Sequence, residues 1–194
     1  MPYSIREESR SAAEMPEQGS VSATQPNWER EQLQRWWDPG RQLIQSIRRY
    51  QKWRQRGGLL GYLFCKLNVV QHRFWSIVSG ADIPLNCQFD GGLLLAHPNG
   101  IVIHPTASFG PNCLIFQQVT VVEGVKVGGH VDIGAGAKII HSVTIGDHAK
   151  IGANAVVLCD IPPGATAVGV PARIIYPTSE AAPPASIPQM PHSS

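Results

Sequence analysis

The fold is decided between residues 103 and 168, which read IHPTAS FGPNCL IFQQVT VVEGVK VGGHVD IGAGAK IIHSVT IGDHAK IGANAV VLCDIP PGATAV in blocks of six. The first position is Ile, Phe or Val in ten of these eleven blocks, and the exception is Pro163. The fifth position is always small or apolar, while Gly, Asn, Asp and His crowd the positions where a chain turns a corner. A helix would smear this pattern around its surface, and a hairpin sheet would alternate with a period of two. The blocks therefore predict short strands joined by corners, with apolar side chains pointing inward.

Three blocks close one triangular coil of 18 residues, so residues 18 apart should stack on one another. Two such corner ladders are predicted, one of Asn112, His130 and His148 and one of Gly124, Ser142 and Asp160. The phase continues upstream through Ile83, Phe89 and Leu95. The predicted fold class is mainly β: a parallel β-helix of about five coils over residues 81–176, with an N-terminal α-helical cap region.

One irregularity interrupts the repeat. The step from Leu95 to Ile103 takes eight residues instead of six, and the extra two fall within Ala96–Gly100. Pro-Asn-Gly is strong turn chemistry, so this segment is predicted to bulge from the solenoid. His97 lies on the bulge, where an exposed imidazole can face a ligand.

The rest of the chain divides into three further parts. Residues 1–26 are polar and lack periodicity, which predicts a disordered leader, and the Pro- and Ser-rich residues 177–194 predict a disordered tail. Residues 27–80 are predicted to be helical. Asn27 caps a helix that starts at Trp28, Asp38-Pro39-Gly40 interrupts it, and Gly57-Gly58 separates a second amphipathic segment.

The charge of the chain and its cysteines limit the classes of partner and the cellular compartment that we expect. The net charge of +2 does not favour a nucleic-acid partner, although residues 28–73 hold ten Lys or Arg against three Asp or Glu. We interpret this basic region as a helical cap with solvated cations; a surface for peripheral membrane contact or an anionic partner is the alternative. The four cysteines form no CxxC motif, and the acidic start does not resemble a signal peptide, so a cytoplasmic protein with free thiols is expected.

Several segments resemble the serine O-acetyltransferases of the hexapeptide-repeat acyltransferase family. They are DIPLNCQFDGGLLLAHPNGIVI, IFQQVTV, IGAGAKII, KIGANAVV and IPPGATAVGVPARII, within residues 81–176. The resemblance implies a left-handed β-helix and acetyl transfer from acetyl-CoA to L-serine, which gives O-acetylserine for cysteine biosynthesis. It also implies that His97 is the general base and that Asp82, fifteen residues earlier, orients it. This chemistry suits the residues, because an imidazole can take the hydroxyl proton and a carboxylate can fix its tautomer.

The same resemblance implies where acetyl-CoA would bind. Ala135 and Ala153 would line the pantetheine arm, and Lys150 and Arg173 would meet the phosphates, with solvated corner charge as the alternative for these two cations. In this family acetyl-CoA lies between neighbouring β-helices, so the resemblance also implies a homotrimer or a dimer of trimers. No metal is expected, because the chain lacks the histidine spacing of the zinc enzymes that share this fold.

Two positions depart from the family pattern near the acceptor. Ala96 stands where an Asp usually precedes the base, and Gly124 falls where a second His follows a longer loop. A sugar hydroxyl, as in exopolysaccharide O-acetyltransferases, is therefore the alternative acceptor. A non-catalytic β-solenoid scaffold is the second alternative, although a scaffold needs neither the bulge nor Asp82.

Overall fold

The computed structural model describes residues 21–176. It begins with a 3-10 helix at Trp28–Glu31 and two α-helices, α1 (Pro39–Arg56) and α2 (Gly58–Ser79). Fourteen short strands follow: β1 (Gln88–Phe89), β2 (Leu94–Leu95), β3 (Val102–Ile103), β4 (Ser108–Phe109), β5 (Leu114–Ile115), β6 (Thr120–Val121), β7 (Lys126–Val127), β8 (Asp132–Ile133), β9 (Lys138–Ile139), β10 (Thr144–Ile145), β11 (Lys150–Ile151), β12 (Val156–Val157), β13 (Thr166–Val168) and β14 (Arg173–Ile175). The predicted leader up to residue 20 and the predicted tail 177–194 lie outside the described residues.

The strands build a three-sided parallel β-helix of about four turns, slightly fewer than the five predicted. Sheet 1 contains β1, β4, β7 and β10; sheet 2 contains β2, β5, β8, β11, β13 and β14; sheet 3 contains β3, β6, β9 and β12. Every pairing is parallel except β13 with β14. Except for Pro163, the first and fifth positions of the blocks are buried in a single core, as the repeat predicts.

The strand register shows where the repeat is regular. Val102 pairs with Thr120 and Ser108 with Lys126, which are 18 residues apart. The ladder of Asn112, His130 and His148 is confirmed: the amide of His130 donates to Pro111 and that of His148 to Gly129. All three ladder residues have positive φ, the conformation that a tight corner requires.

In the last coil the repeat is shifted by two residues relative to the prediction. Ile161 bridges Ile145 and Ala167 pairs with Ile151, both at a separation of 16, so two residues are missing between Val157 and Ile161. Ile161 points inward and Pro163 does not. Asp160 consequently leaves the predicted Gly124 and Ser142 ladder, and its carboxylate accepts a hydrogen bond from the amide of Thr144 instead (2.7 Å).

The helices differ from the prediction at their start. Asn27 does cap a turn, since its Oδ1 accepts from the amide of Glu29, but that turn is only the short 3-10 helix. Asp38-Pro39-Gly40 begins α1 rather than interrupting a helix: Asp38 is the N-cap and Pro39 the first helical residue, which suits its fixed φ. Gly57 separates α1 from α2 as predicted.

Helix α1 covers the first coil of the β-helix. Its buried face contains Leu43, Ile44 and Ile47, which join the β-helix core. Arg48 extends from the same helix and donates to the carbonyls of Phe89 and Asp90, so one of the predicted solvated cations is a structural clamp. The Arg48 guanidinium also pairs with the buried carboxylate of Glu31 at 2.8 Å.

The segment before the 3-10 helix also lies against the β-helix. The side-chain amide of Asn112 donates to the carbonyls of Ser22 and Gln25, both at 2.7 Å, and its Oδ1 accepts from the amide of Asn27. These contacts differ from the prediction of a leader extending to residue 26, because a fully buried amide at the first corner ladder fixes the chain from Ser22 onward.

Candidate active site

The predicted bulge is present and lies where sheet 2 turns into sheet 3. Six residues separate β2 from β3, whereas four separate β5 from β6. Gly100, with φ of 70°, donates its amide to the carbonyl of Gly80 at 2.8 Å, and the amide of Ile101 closes a turn on Pro98. We call the stack of corners formed by residues 96–101, 116–119, 134–137 and 152–155 the bulge edge.

His97 is exposed on the bulge and faces two adjoining clefts. One, of about 360 Å³, lies between the bulge, the start of α1 and the end of α2. The other, of about 520 Å³, lies between the bulge and the segment from Gln34 to Arg41. Gly40 explains why α1 starts so close to His97: a Cβ on this residue would lie 2.9 Å from the carbonyl oxygen of Leu95. The absence of a side chain there lets the helix start pack directly on β2.

Asp38 borders both clefts together with His97, and sequence reasoning missed it as a site residue. Its Oδ1 accepts from the amide of Arg41 at 3.1 Å, and its Oδ2 accepts from the Arg41 guanidinium at 2.7 Å. About one fifth of each side chain remains exposed. A carboxylate and a guanidinium therefore lie side by side in a cleft that the imidazole also lines. The Asp-Pro pair before a helical pattern was the available signal, because it is typical of an N-cap followed by the first helical residue.

Asp82 lies at the start of the β-helix, beside the strand that follows the bulge. Its amide donates to Ile101 and its carbonyl accepts from the amide of Ile103, which pairs Asp82 with Val102. The side chain is exposed, as is that of His97. Within residues 21–176 no hydrogen bond joins the Asp82 carboxylate to the His97 imidazole. The backbone thus brings the two residues to neighbouring coils without a direct bond between their side chains.

Ala135 and Ala153 both lie on the bulge edge, above His97. The amide of Asn154 donates to the carbonyl of Ala135 at 2.8 Å, so these two corners stack directly. Neighbouring parallel strands are about 4.8 Å apart, which puts Ala135 roughly 10 Å and Ala153 roughly 14 Å along the edge from the bulge. The small side chains leave the backbone accessible at these two corners.

Lys150 and Arg173 lie on sheet 2, next to the upper end of the same edge. Lys150 pairs through its backbone with Thr166, and Arg173 pairs with Val168. Both residues are exposed, and in the part of the chain that the structure describes their side chains form no hydrogen bond or ion pair. They are free to bind an anion approaching from solvent.

Gln117 is a second residue that the sequence did not single out. It occupies the bulge edge one coil above the bulge, and its Oε1 is buried without a hydrogen-bond partner among the described residues. An unsatisfied buried carbonyl is costly, and such a group often serves a ligand. No local sequence signal marks it, because a Gln at a corner is ordinary.

Further histidines lie on other corners of the β-helix, whereas His72 is buried on α2. His130 and His148 meet through their Nδ1 atoms at 2.9 Å, and burial lowers the pKa of His130. His104 contacts the hydroxyl of Thr106 at 2.9 Å. In this pair one imidazole donates and the other accepts.

Comparisons with known proteins agree on one kind of protein. Residues 124–159 match the family model "Bacterial transferase hexapeptide (six repeats)". A serine acetyltransferase of Synechococcus elongatus is 37% identical over 125 residues, covering 60% of this chain and 51% of the relative. The serine acetyltransferase of Escherichia coli K12 is 38% identical over 108 residues, covering 52% and 40% respectively.

Solved structures give the same result. A serine acetyltransferase in complex with CoA matches with a TM-score of 0.61 and 35% identity, covering 72% of this chain and 58% of that one. The Neisseria gonorrhoeae serine acetyltransferase in complex with serine matches with a TM-score of 0.60 and 35% identity, covering 72% and 57%. The chain spans about half the length of the curated relatives it matches.

Proposed function

Because this chain is a serine acetyltransferase-like member of the hexapeptide-repeat transferases, we propose that it transfers the acetyl group of acetyl-CoA to the hydroxyl of L-serine. One structural observation supports the proposal independently of the similarity to known proteins. His97 lies at one end of the edge that carries Ala135 and Ala153, and it lines one cleft together with both the carboxylate of Asp38 and the guanidinium of Arg41. A base, a track for an extended donor and a site for a charged acceptor thus meet at one place.

In this proposal His97 is the general base. Its free imidazole nitrogen takes the proton of the acceptor hydroxyl as the oxygen attacks the thioester carbon. When the tetrahedral intermediate collapses, the C–S bond breaks and the imidazolium returns the proton to the sulfur of CoA. Asp82 is the positioning partner that turns toward the imidazole once the acceptor is bound, which is consistent with the looser geometry of unliganded sites. General base catalysis of this kind contributes about 10²–10⁴-fold to the rate.

The donor follows the bulge edge in this proposal. The pantetheine arm runs from His97 past Ala135 and Ala153, and Lys150 and Arg173 bind the phosphate groups. Two observations support this path. Ala135 and Ala153 stack over the bulge, and Lys150 and Arg173 are exposed at the C-terminal end of the bulge edge. A neighbouring β-helix would close the other side of such an open edge, so we propose a homotrimer or a dimer of trimers.

The acceptor site is formed by Asp38 and Arg41. An amino acid carries both an ammonium and a carboxylate at neutral pH, and the adjacent opposite charges of this pair can bind one each. Asp38 supplies the carboxylate that Ala96 lacks. A neutral sugar hydroxyl has no use for the pair, so serine is the acceptor that the geometry favours. All four cysteines are free, and we propose a cytoplasmic location, where thiols stay reduced.

The test is release of CoA from acetyl-CoA by the full chain, first with L-serine and then with methyl glucoside. We expect turnover with serine and a loss of about 10²–10⁴-fold in His97→Ala. His141→Ala, at an exposed histidine on a different corner, is the matched control and should keep full activity. Turnover with methyl glucoside but not with L-serine would indicate a sugar O-acetyltransferase instead. Absence of turnover with either acceptor would favour the scaffold.

A further inference from the structure

His130 and His148 form a pair on the edge where sheet 1 turns into sheet 2. Their Nδ1 atoms are 2.9 Å apart, the ring centroids are 5.1 Å apart, and the ring planes meet at 78°. We call these two residues the histidine pair. The pair lies across sheet 2 from the bulge edge, where sheet 2 turns into sheet 3. It is therefore separate from the site around His97, and what it binds does not depend on the chemistry proposed there.

The corners under the pair are fixed, whereas the rings make few contacts. The amide of His130 donates to the carbonyl of Pro111 at 2.7 Å, and that of His148 donates to the carbonyl of Gly129 at 3.0 Å. Among the described residues, each ring hydrogen-bonds only to the other ring. His148 is exposed and His130 is half-buried. The backbone thus places the two imidazoles next to each other while solvent still reaches them.

Asn112, the first member of the same corner ladder, shows that the corner itself needs no histidine. It has the same positive φ, and its side-chain amide donates to the carbonyls of Ser22 and Gln25. Asn and Gly tolerate positive φ well, so either would serve the two later corners. Neutral histidines that meet through Nδ1 must adopt different tautomers, one with its proton on Nδ1 and one with its proton on Nε2. The imidazole chemistry, rather than the turn, distinguishes these two corners.

We propose that the histidine pair binds one divalent ion of the late transition metals, Ni²⁺ or Cu²⁺, through both Nδ1 atoms. Imidazole nitrogen is a favoured ligand for these ions. Two nitrogens at about 2.0–2.1 Å from one ion lie about 2.9 Å apart when the angle at the ion is 90°, and about 3.3–3.4 Å apart when it is tetrahedral. The observed 2.9 Å fits the right angle, which is typical of Ni²⁺ and Cu²⁺ rather than of tetrahedral Zn²⁺.

Binding needs a rotation of the rings and the relocation of one proton. The ring that holds its proton on Nδ1 releases it to solvent and takes one from solvent at Nε2. Both Nδ1 lone pairs are then free for the ion, and the neutral pair holds as many protons as before. Burial lowers the pKa of His130, which keeps this imidazole neutral and able to act as a ligand.

Water can complete the coordination from the side of the last coil. Gly164 stacks on this corner, since its amide donates to the carbonyl of Asp147 at 2.8 Å, and a Cβ on Gly164 would meet no atom within 4 Å. No third His, Cys, Asp or Glu among residues 21–176 joins the pair as a ligand. The site therefore has two protein ligands and exchanges its ion, unlike the three-histidine zinc centre that the sequence excludes.

The charges around the pair are balanced. Asp132 follows His130 by two residues, and the carboxylate of Asp147 accepts from the amide of Gly129 at 2.7 Å. Arg30 and Lys150 act on His130 with the opposite sign. Because two carboxylates and two cations surround the pair, the affinity for the ion comes from the nitrogen ligands and not from local charge.

The first test is calorimetric titration of the untagged full chain with NiCl₂. All chains carry Cys159→Ser, so that this exposed thiol does not compete for the metal. We expect one Ni²⁺ per chain. His130→Asn and His148→Asn each remove one ligand and keep a residue that suits positive φ. Each should weaken binding by more than the roughly 10–100-fold that loss of a partner outside the coordination shell costs.

His141→Ala, at an exposed histidine on a different corner, is the matched control and should bind Ni²⁺ as the parent chain does. Circular dichroism should show the same fold in all these chains. Equal affinity in His148→Asn and the parent, or no binding of Ni²⁺ by the parent, would overturn the proposal.

The second test asks whether the ion links two coils. His130 and His148 belong to successive coils, so a shared ion should stabilise the folded chain. At free Ni²⁺ 100 times the Kd, Tm should rise roughly 5–10 °C in the parent and stay unchanged in the His130→Asn/His148→Asn double variant. With one equivalent of Cu²⁺, electron paramagnetic resonance should show coupling to two nitrogens in the parent and to fewer in either single variant. Coupling to one nitrogen in the parent, or a Tm that does not respond to saturating Ni²⁺, would contradict a shared ion.

Discussion

Replacing Asp38 by Asn tests whether the paired charges beside His97 select the acceptor. Asn remains a good N-cap, and its side-chain oxygen can still accept from the amide of Arg41, so α1 should start unchanged. The substitution removes one negative charge and the ion pair with Arg41. Since only about a fifth of each partner is exposed, losing this charge-assisted hydrogen bond should cost about 1.5–3 kcal/mol of unfolding free energy.

The effect on catalysis is separate from the effect on stability and is measured on the folded chain. An ammonium group bonded to a partly buried carboxylate loses a charge-assisted hydrogen bond, worth about 1.5–3 kcal/mol, when that carboxylate becomes an amide. At 1.36 kcal/mol for each factor of ten, kcat/KM for L-serine should fall roughly 10–150-fold. A neutral hydroxyl acceptor that the wild-type enzyme uses weakly should be unaffected, because it makes no contact that depends on this charge.

The assay compares kcat/KM for L-serine and for methyl glucoside in Asp38→Asn and in the wild-type chain, by release of the CoA thiol. Asp90→Asn, at an exposed aspartate on the first sheet, is the control for loss of a surface carboxylate. Equal kcat/KM for serine in Asp38→Asn and wild type would refute the assignment of Asp38 to the acceptor. An equal loss with both acceptors would show that Asp38 acts on the position of His97 and not on the ammonium.

Other predictions concern stability and reactivity. Glu31→Gln should lower the unfolding free energy by about 3 kcal/mol in urea, because it breaks a buried pair with Arg48. Burial lowers the pKa of His72 from its ordinary 6.5, so the unfolded chain binds this proton more readily. Stability present above pH 6.5 should therefore be lost as the pH falls, and His72→Gln should flatten the dependence of Tm on pH. Gln117→Met should raise Tm but lower kcat/KM if the buried Oε1 serves a substrate. Burial raises the pKa of Cys113 to about 12, so its thiol should resist alkylation at pH 8 until the chain is unfolded.

The repeat could be predicted from the sequence because it is written in single residues at fixed spacing. Each inward side chain occupies the same environment in every coil, so Ile115, Ile133 and Ile151 need no knowledge of distant contacts. The two missing residues near Ile161 were harder to find. Val157 and Pro163 continue the count of six, and only the unsuitability of Pro for an inward strand position marks the shift.

In the candidate site, too, some residues are placed by the local sequence and others by contacts between distant parts of the chain. The bulge is a change in spacing, so the sequence places His97 on it. Asp38 lines the same clefts as His97 because Gly40 lets α1 pack against the carbonyl of Leu95, more than fifty residues away in sequence. The repeat does not predict this contact. The contact forms because helix α1, which is not part of the repeat, packs against the first coil of the β-helix. The proposed base thus follows from the irregular spacing of the repeat, whereas the group proposed to choose the acceptor follows from the helical cap. Under the proposed function, the choice of acceptor can therefore change through the helices while the bulge edge stays unchanged.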